Sequence, residues 1–164
     1  MNVIIKDIPK KHCKIKAMFG VICTISVIDT QRNNISLIDV ITQLNVQNSD
    51  FENVKAGGHK GLSIPYRHEV VVMFRKLGAH GIDSGELNYD VKISFVNPQE
   101  EIIAEFLTPI KFLPNVKTHG HKINLDNFIV QSEGSYEYRV SVMERGDKDF
   151  NELCTIPLIV EKVN

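Results

Sequence analysis

The sequence predicts an all-β fold: an antiparallel, two-sheet β-sandwich of about eight strands, with a closed barrel as the next candidate. Two observations carry this expectation. Apolar and polar residues alternate with a period of two through most of the chain, and no stretch of a dozen residues shows a 3.6-residue repeat. The turns between alternating runs are mostly too short for parallel crossovers, so an alternating βαβ architecture and its nucleotide site are disfavoured.

Taken in order, Val3-Ile4-Ile5 is a possible edge strand in a segment, 1–16, that otherwise reads as a flexible arm. Strand-like runs follow near 18–29, 35–46, 68–77, 100–108, 121–131 and 150–161. Two more are read from strict alternation: Tyr89, Val91, Ile93 and Phe95, then Tyr136, Tyr138, Val140 and Val142. Turn residues separate neighbours, as at Gln31-Arg32-Asn33-Asn34, Asn97-Pro98-Gln99 and Ser132-Glu133-Gly134. Val70-Val71-Val72-Met73-Phe74 is apolar on both parities, which requires a central strand or a face that meets another chain. Ile123 and Leu125 are out of phase with Phe128 and Val130, so the chain should bulge or change sheet at Asp126-Asn127. One short helix is expected near 49–57, where Ser49-Asp50-Phe51-Glu52 has capping-box spacing and Gly57 can close the last turn.

The run Gly134-Ser135-Tyr136-Glu137-Tyr138-Arg139-Val140 resembles a strand of immunoglobulin-like sandwiches. More widely, Ile22-Cys23 to Val27, Ile35-Ser36-Leu37-Ile38-Asp39-Val40, Pro65 and Ile156-Pro157-Leu158-x-Val160 resemble small bacterial β-sandwich domains of unknown function, across residues 18 to 161. That resemblance implies a fold and a bacterial source. It brings no catalytic residue.

Composition bounds function. The 164 residues, 43% hydrophobic and 24% charged, suit a single sandwich domain over 1–164. Nineteen Lys+Arg against 20 Asp+Glu leave a net charge of -1, so no global field draws nucleic acid or an anionic membrane, and neither is expected as a partner. Absence of Trp weakens a sugar-stacking platform. Cys13, Cys23 and Cys154 lack metal or redox spacing and fit a reducing cytoplasm. Cys13, outside the predicted strands, is by position the most exposed and reactive of the three. Lysines ahead of the apolar run 17–28 imitate a secretory signal, but Asp7, Thr24, Ser26 and the lack of a small-residue cleavage site oppose that reading.

Antiparallel succession places the connections 30–34, 78–88, 109–120 and 145–149 at one end, and 47–67, 97–99 and 132–134 at the other. The first end gathers His80, Asp83, Glu86, His119, Arg145 and Asp147 as candidate binding residues, together with Arg32, Lys117 and Asp149. An alternative anion-binding loop is Lys55, Gly57, Gly58, His59 and Lys60, though it lacks the strand and helix that would fix its amides. His119 and His121 are two apart, as a zinc pair would be, but two histidines alone are insufficient and a third ligand would have to come from His80 or Asp147. No nucleophile motif, Walker loop or metalloprotease signature occurs, and no cofactor or resident metal is expected. The leading expectation is a non-enzymatic binding or protein-interaction module, with a protein partner or a homo-oligomer. A small-ligand or metal-ion sandwich is the alternative, and a third reading is an enzyme using His80, His119 and Asp147 as an acid–base cluster.

Overall fold

Burial follows the alternation strand by strand. Tyr89, Val91, Ile93 and Phe95 are buried on one face of their strand, and Tyr136, Tyr138, Val140 and Val142 on one face of theirs, because successive side chains point to opposite sides of a sheet. The structure, a computed structural model, describes residues 4–5, 13–29, 34–58, 60–77 and 85–164. Along the chain run β1 (Ile4–Ile5), β2 (Ile15–Asp29), β3 (Asn34–Val40), β4 (Gln43–Gln47), α1 (Asn48–Ala56), β5 (Leu62–Ile64), β6 (His68–Lys76), β7 (Leu87–Val96), β8 (Ile102–Phe112), β9 (Thr118–Leu125), β10 (Phe128–Val130), β11 (Gly134–Glu144) and β12 (Asn151–Val163). The fold is all-β apart from α1. No helix among the described residues is long and apolar enough to cross a membrane.

One sheet has the order β12-β11-β7-β8, antiparallel throughout, with β1 antiparallel and β4 parallel to β12 on its other side. The second has the order β3-β2-β6-β9, also antiparallel. Their inner faces share one core, in which Ile22, Val70, Val72 and Phe74 meet Ile93, Tyr138, Val140, Ile156 and Leu158. β5 and β10 form a separate two-stranded ribbon. The phase change at Asp126-Asn127 is where the chain leaves β9 for this ribbon.

Four local expectations need correction. The run 35–46 is two strands in different sheets, since the chain crosses over at Ile41-Thr42 and β4 then pairs in parallel with β12. Residues 62–64, expected as loop, form β5. The helix begins at Asn48 with Gln47 at its cap, and no side chain caps it, so the Ser49–Glu52 capping box does not form. Finally, the connection 109–120 shrinks to 113–117, because β8 runs to Phe112 and β9 starts at Thr118. His119 and His121 therefore sit in a strand, on the same face.

The second sheet is curled. Ser26 donates both its backbone N–H, at 2.7 Å, and its hydroxyl to Glu69 Oε2, while Lys122 Nζ donates to Glu69 Oε1 at 3.0 Å. A Cβ on Gly120 would lie 3.1 Å from Ile28 Cδ1, so the glycine allows the end of β2 to close over β9. The β2–β3 hairpin thus doubles back across its own sheet. Ile35, Leu37 and Phe19 cover Val21, Cys23 and Val71 there, which explains why β6 is apolar on both faces.

At the start of β11 the buried Tyr136 hydroxyl accepts from the N–H groups of Gln131 at 2.8 Å and Ser132 at 3.1 Å, and donates to Ser132 O at 3.0 Å. Tyr136→Phe removes all three bonds and strands two donors, an expected loss of about 1–3 kcal/mol. Urea unfolding of the two proteins measures it, and a difference below about 0.5 kcal/mol would contradict this role.

Candidate functional site

The predicted loop end is knitted together by backbone and side-chain bonds. Lys76 N–H donates to Lys117 O at 2.9 Å, and Arg145 N–H to Asn88 O at 3.0 Å. The Lys76 ammonium is buried, so it needs compensation. It donates to Leu113 O at 2.8 Å and Pro114 O at 3.2 Å, and lies 5.8 Å from the centre of the Phe112 ring. The β8–β9 connection is thereby pinned to the end of β6.

Between this connection and the end of β2 lies a cleft of about 500 Å³. Ile28, Met73, Leu113 and Val116 supply apolar lining, and Lys111, Asn115, Lys117, Thr118 and His119 supply polar groups. Lys111 pairs with Glu86 at 2.7 Å, and this ammonium and the Asn88 amide hold the Glu86 carboxyl below its ordinary range.

Of the sequence-predicted residues, His119 lines the cleft and Glu86 reaches it through Lys111. Arg145 and Asp147 sit in the exposed β11–β12 turn and do not line it. His80 and Asp83 lie outside the described residues, as do Arg32 and His59, so the His80-His119-Asp147 cluster has no described geometry. In the alternative anion loop, Lys55 lies in the last turn of α1 and Lys60 is exposed. The amides of Gly57 and Gly58 donate back to Asn53 O at 2.9 Å and Lys55 O at 3.2 Å. Those donors are taken up by the C-terminal end of the helix, whose dipole repels anions.

His119 and His121 project between the sheets, opposite Phe74 and Val72 in register. His121 Nε2 bonds to Thr108 Oγ1 at 2.8 Å, and the His119 ring lies 5.4 Å from that of Phe112. Burial lowers both pKa values, and together with the neighbouring His119 it brings His121 to about 4. Among the described residues no group of three His, Cys, Asp or Glu converges for a metal. Cysteine chemistry is muted: burial raises the Cys154 thiol to about 12 and also raises Cys13, which donates to Ile15 O. Sequence position alone makes Cys13 the reactive thiol. It is the most exposed of the three, as its position predicts, although partial burial raises its thiol too.

A second surface escapes the sequence reading. On the outer face of the doubled-back hairpin, Ile25 stands opposite Ile38, flanked diagonally by Val27 and Val40, and these four are 52, 48, 58 and 42% exposed. The face continues past Val40 to a groove of about 440 Å³ lined by Ile41, Leu44, Ile64 and Tyr66. The signal is present as Ile25-Ser26-Val27, but alternation does not say which parity is buried. Here Glu69 pulls the polar parity inward.

No protein-family model and no curated protein matches the chain. The crystal structure of the C-terminal domain of Wzt is similar, with a TM-score of 0.53 at 10% identity, over 93% of this chain and 77% of that one. That likeness shows a shared fold alone. A family 123 glycoside hydrolase from Clostridium perfringens has a TM-score of 0.40 at 12% identity, over 72% of this chain and 25% of that chain, and carries no argument.

Proposed function

We propose that the chain is a non-enzymatic interaction module that docks a second copy of itself along β3 and the outer face of the β2–β3 hairpin. The observation that carries this is the exposed Ile25-Val27-Ile38-Val40 face beside a sheet edge. Contiguous exposed apolar surface marks interaction sites, and unpaired strand edges template pairing. The edges differ in chemistry. β8 carries Glu105, Pro109 and Lys111, and β9 carries Lys122, all residues that discourage pairing, whereas the only charge on β3 is Asp39, which accepts a bond from Thr24 Oγ1 at 3.3 Å. Antiparallel β3–β3 pairing about a two-fold axis joins the two curled sheets and brings the apolar faces of both copies alongside one another. Tyr66, 40% exposed on the rim of the adjoining groove, is the kind of aromatic that anchors interfaces.

Other features support the same reading. His68 and His121 are committed to structural hydrogen bonds, and Cys23 and Cys154 are sealed in the core, which favours a binding role over an acid–base or thiol enzyme. The Tyr136 hydroxyl bonding back to the preceding corner is a habit of immunoglobulin-like sandwiches. It supports assigning the chain to that type, in line with the small bacterial domains it resembles.

Sedimentation equilibrium between about 5 and 200 µM tests the proposal. The native chain is expected to dimerise, Ile38→Lys to weaken the dimer at least tenfold, and Leu107→Lys, on β8, to leave it unchanged. A monomer throughout that range, or equal effects of the two variants, overturns self-docking.

A further inference from the structure

The loop-end cleft differs in chemistry from the hairpin face, and it is enclosed by elements already held in place. We infer that it is a binding site for a small organic carboxylate carrying an apolar body. The volume of about 500 Å³ lies within the range of small-molecule sites. Its lining divides in two. Ile28, Met73, Leu113 and Val116 offer an apolar bed, while Asn115, Lys117 and Thr118 bring an amide, an ammonium and a hydroxyl able to donate.

The charge balance selects the sign of the ligand. Lys111 is already paired with Glu86 at 2.7 Å, and Asp29, the last residue of β2 and also in the cleft lining, is engaged in an interaction of its own. Lys117 has no ion-pair partner among the described residues. The Lys117 ammonium beside an apolar bed suits an acceptor-only head group, and a carboxylate is the smallest that offers two acceptor oxygens. Among the described residues of the lining, a cation has no uncommitted carboxylate to meet. A compact, wholly polar anion leaves the apolar bed unused.

The site is also preorganised. The Lys76 ammonium holds the carbonyls of Leu113 and Pro114, and its backbone N–H holds that of Lys117. The wall carrying Lys117 is therefore fixed before a ligand arrives, which reduces the ordering cost of binding.

Titration of the ¹⁵N-labelled full chain with hexanoate, hexan-1-ol and hexylamine, followed by amide chemical shifts, is the test. Hexanoate is expected to shift amides in 113–120 and to bind at least fivefold more tightly than hexan-1-ol, with hexylamine weakest. Lys117→Gln should remove the advantage of hexanoate and leave hexan-1-ol binding unchanged, and its melting temperature reports that the fold is intact. Binding of hexan-1-ol as tight as hexanoate, a preference that survives Lys117→Gln, or no shifts in 113–120 with any probe each overturns the inference. Repeating the titration with Ile38→Lys keeps it separate from self-docking, because the cleft should bind equally well in a monomer.

Discussion

Phe128→Ala will lower the unfolding free energy by about 4 kcal/mol, a loss at the upper end of what truncating one core side chain causes. The ring is fully buried and stacks on the fully buried His68 ring, with centroids 3.7 Å apart and planes 9° from parallel. His68 is neutral and its tautomer follows from its partners. Nδ1 lies 2.9 Å from Tyr66 O, which can only accept, so Nδ1 carries the proton and Nε2 accepts from the Tyr138 hydroxyl at 3.1 Å. Removing Phe128 opens a cavity against this network and admits water to groups otherwise satisfied within the core. It also removes the side chain that anchors the first residue of β10, paired with Ile64 of β5, in the core. For a domain of this size the melting temperature should fall by roughly 10 °C. Urea unfolding measures the loss, and Phe128→Leu, which keeps most of the volume, should cost much less. A loss below about 1.5 kcal/mol for Phe128→Ala would mean that the stack is not a core element.

Stability will also fall as pH drops from about 6.5 towards 4, with His121 the main contributor. Burial and the neighbouring His119 lower its pKa from 6.5 to about 4, and burial lowers His119 and His68 in the same direction. The unfolded chain therefore takes up protons at these sites before the folded chain does. Their full contribution is present above about pH 6.5 and is lost progressively on acidification, until the folded histidines also titrate. For His121 the loss approaches about 3 kcal/mol. Glu69 adds to the fall at lower pH, since its hydrogen bonds and the Lys122 charge outweigh desolvation and keep its pKa below that of a free glutamate. Urea midpoints at pH 7.5, 6.0 and 5.0 read this slope. His121→Gln, which keeps a partner for Thr108, should flatten it, whereas an unchanged midpoint between pH 7.5 and 5.0 in the native chain would rule out the buried neutral histidines.

Legibility differs by level of structure. Tyr89 to Phe95 and Tyr136 to Val142 are readable because both strands have one core face and one watered face, so local alternation and tertiary burial agree. The parity slip at Asp126-Asn127 is readable for the same reason. The Ser49–Glu52 box misleads because side-chain capping competes with chain direction, and the helix follows directly from β4 at Gln47. β5 is invisible because three residues hold too little pattern, and it exists only where β10 supplies its partner. His119 is legible as a candidate, but Gly120 beside it points to a loop, whereas the real task of that glycine is to admit Ile28.

By itself the sequence determined an all-β chain, most of its strand positions, two loop-bearing ends and a near-neutral charge, since these depend on local periodicity and counting. The tertiary structure alone decided that β2 folds back on its own sheet, that Ser26 turns in to Glu69 while Ile25 and Val27 turn out, and that Lys76 locks the cleft wall. Those outcomes depend on pairings between residues tens of positions apart. A period of two gives every strand two faces, and only packing chooses which of them meets water.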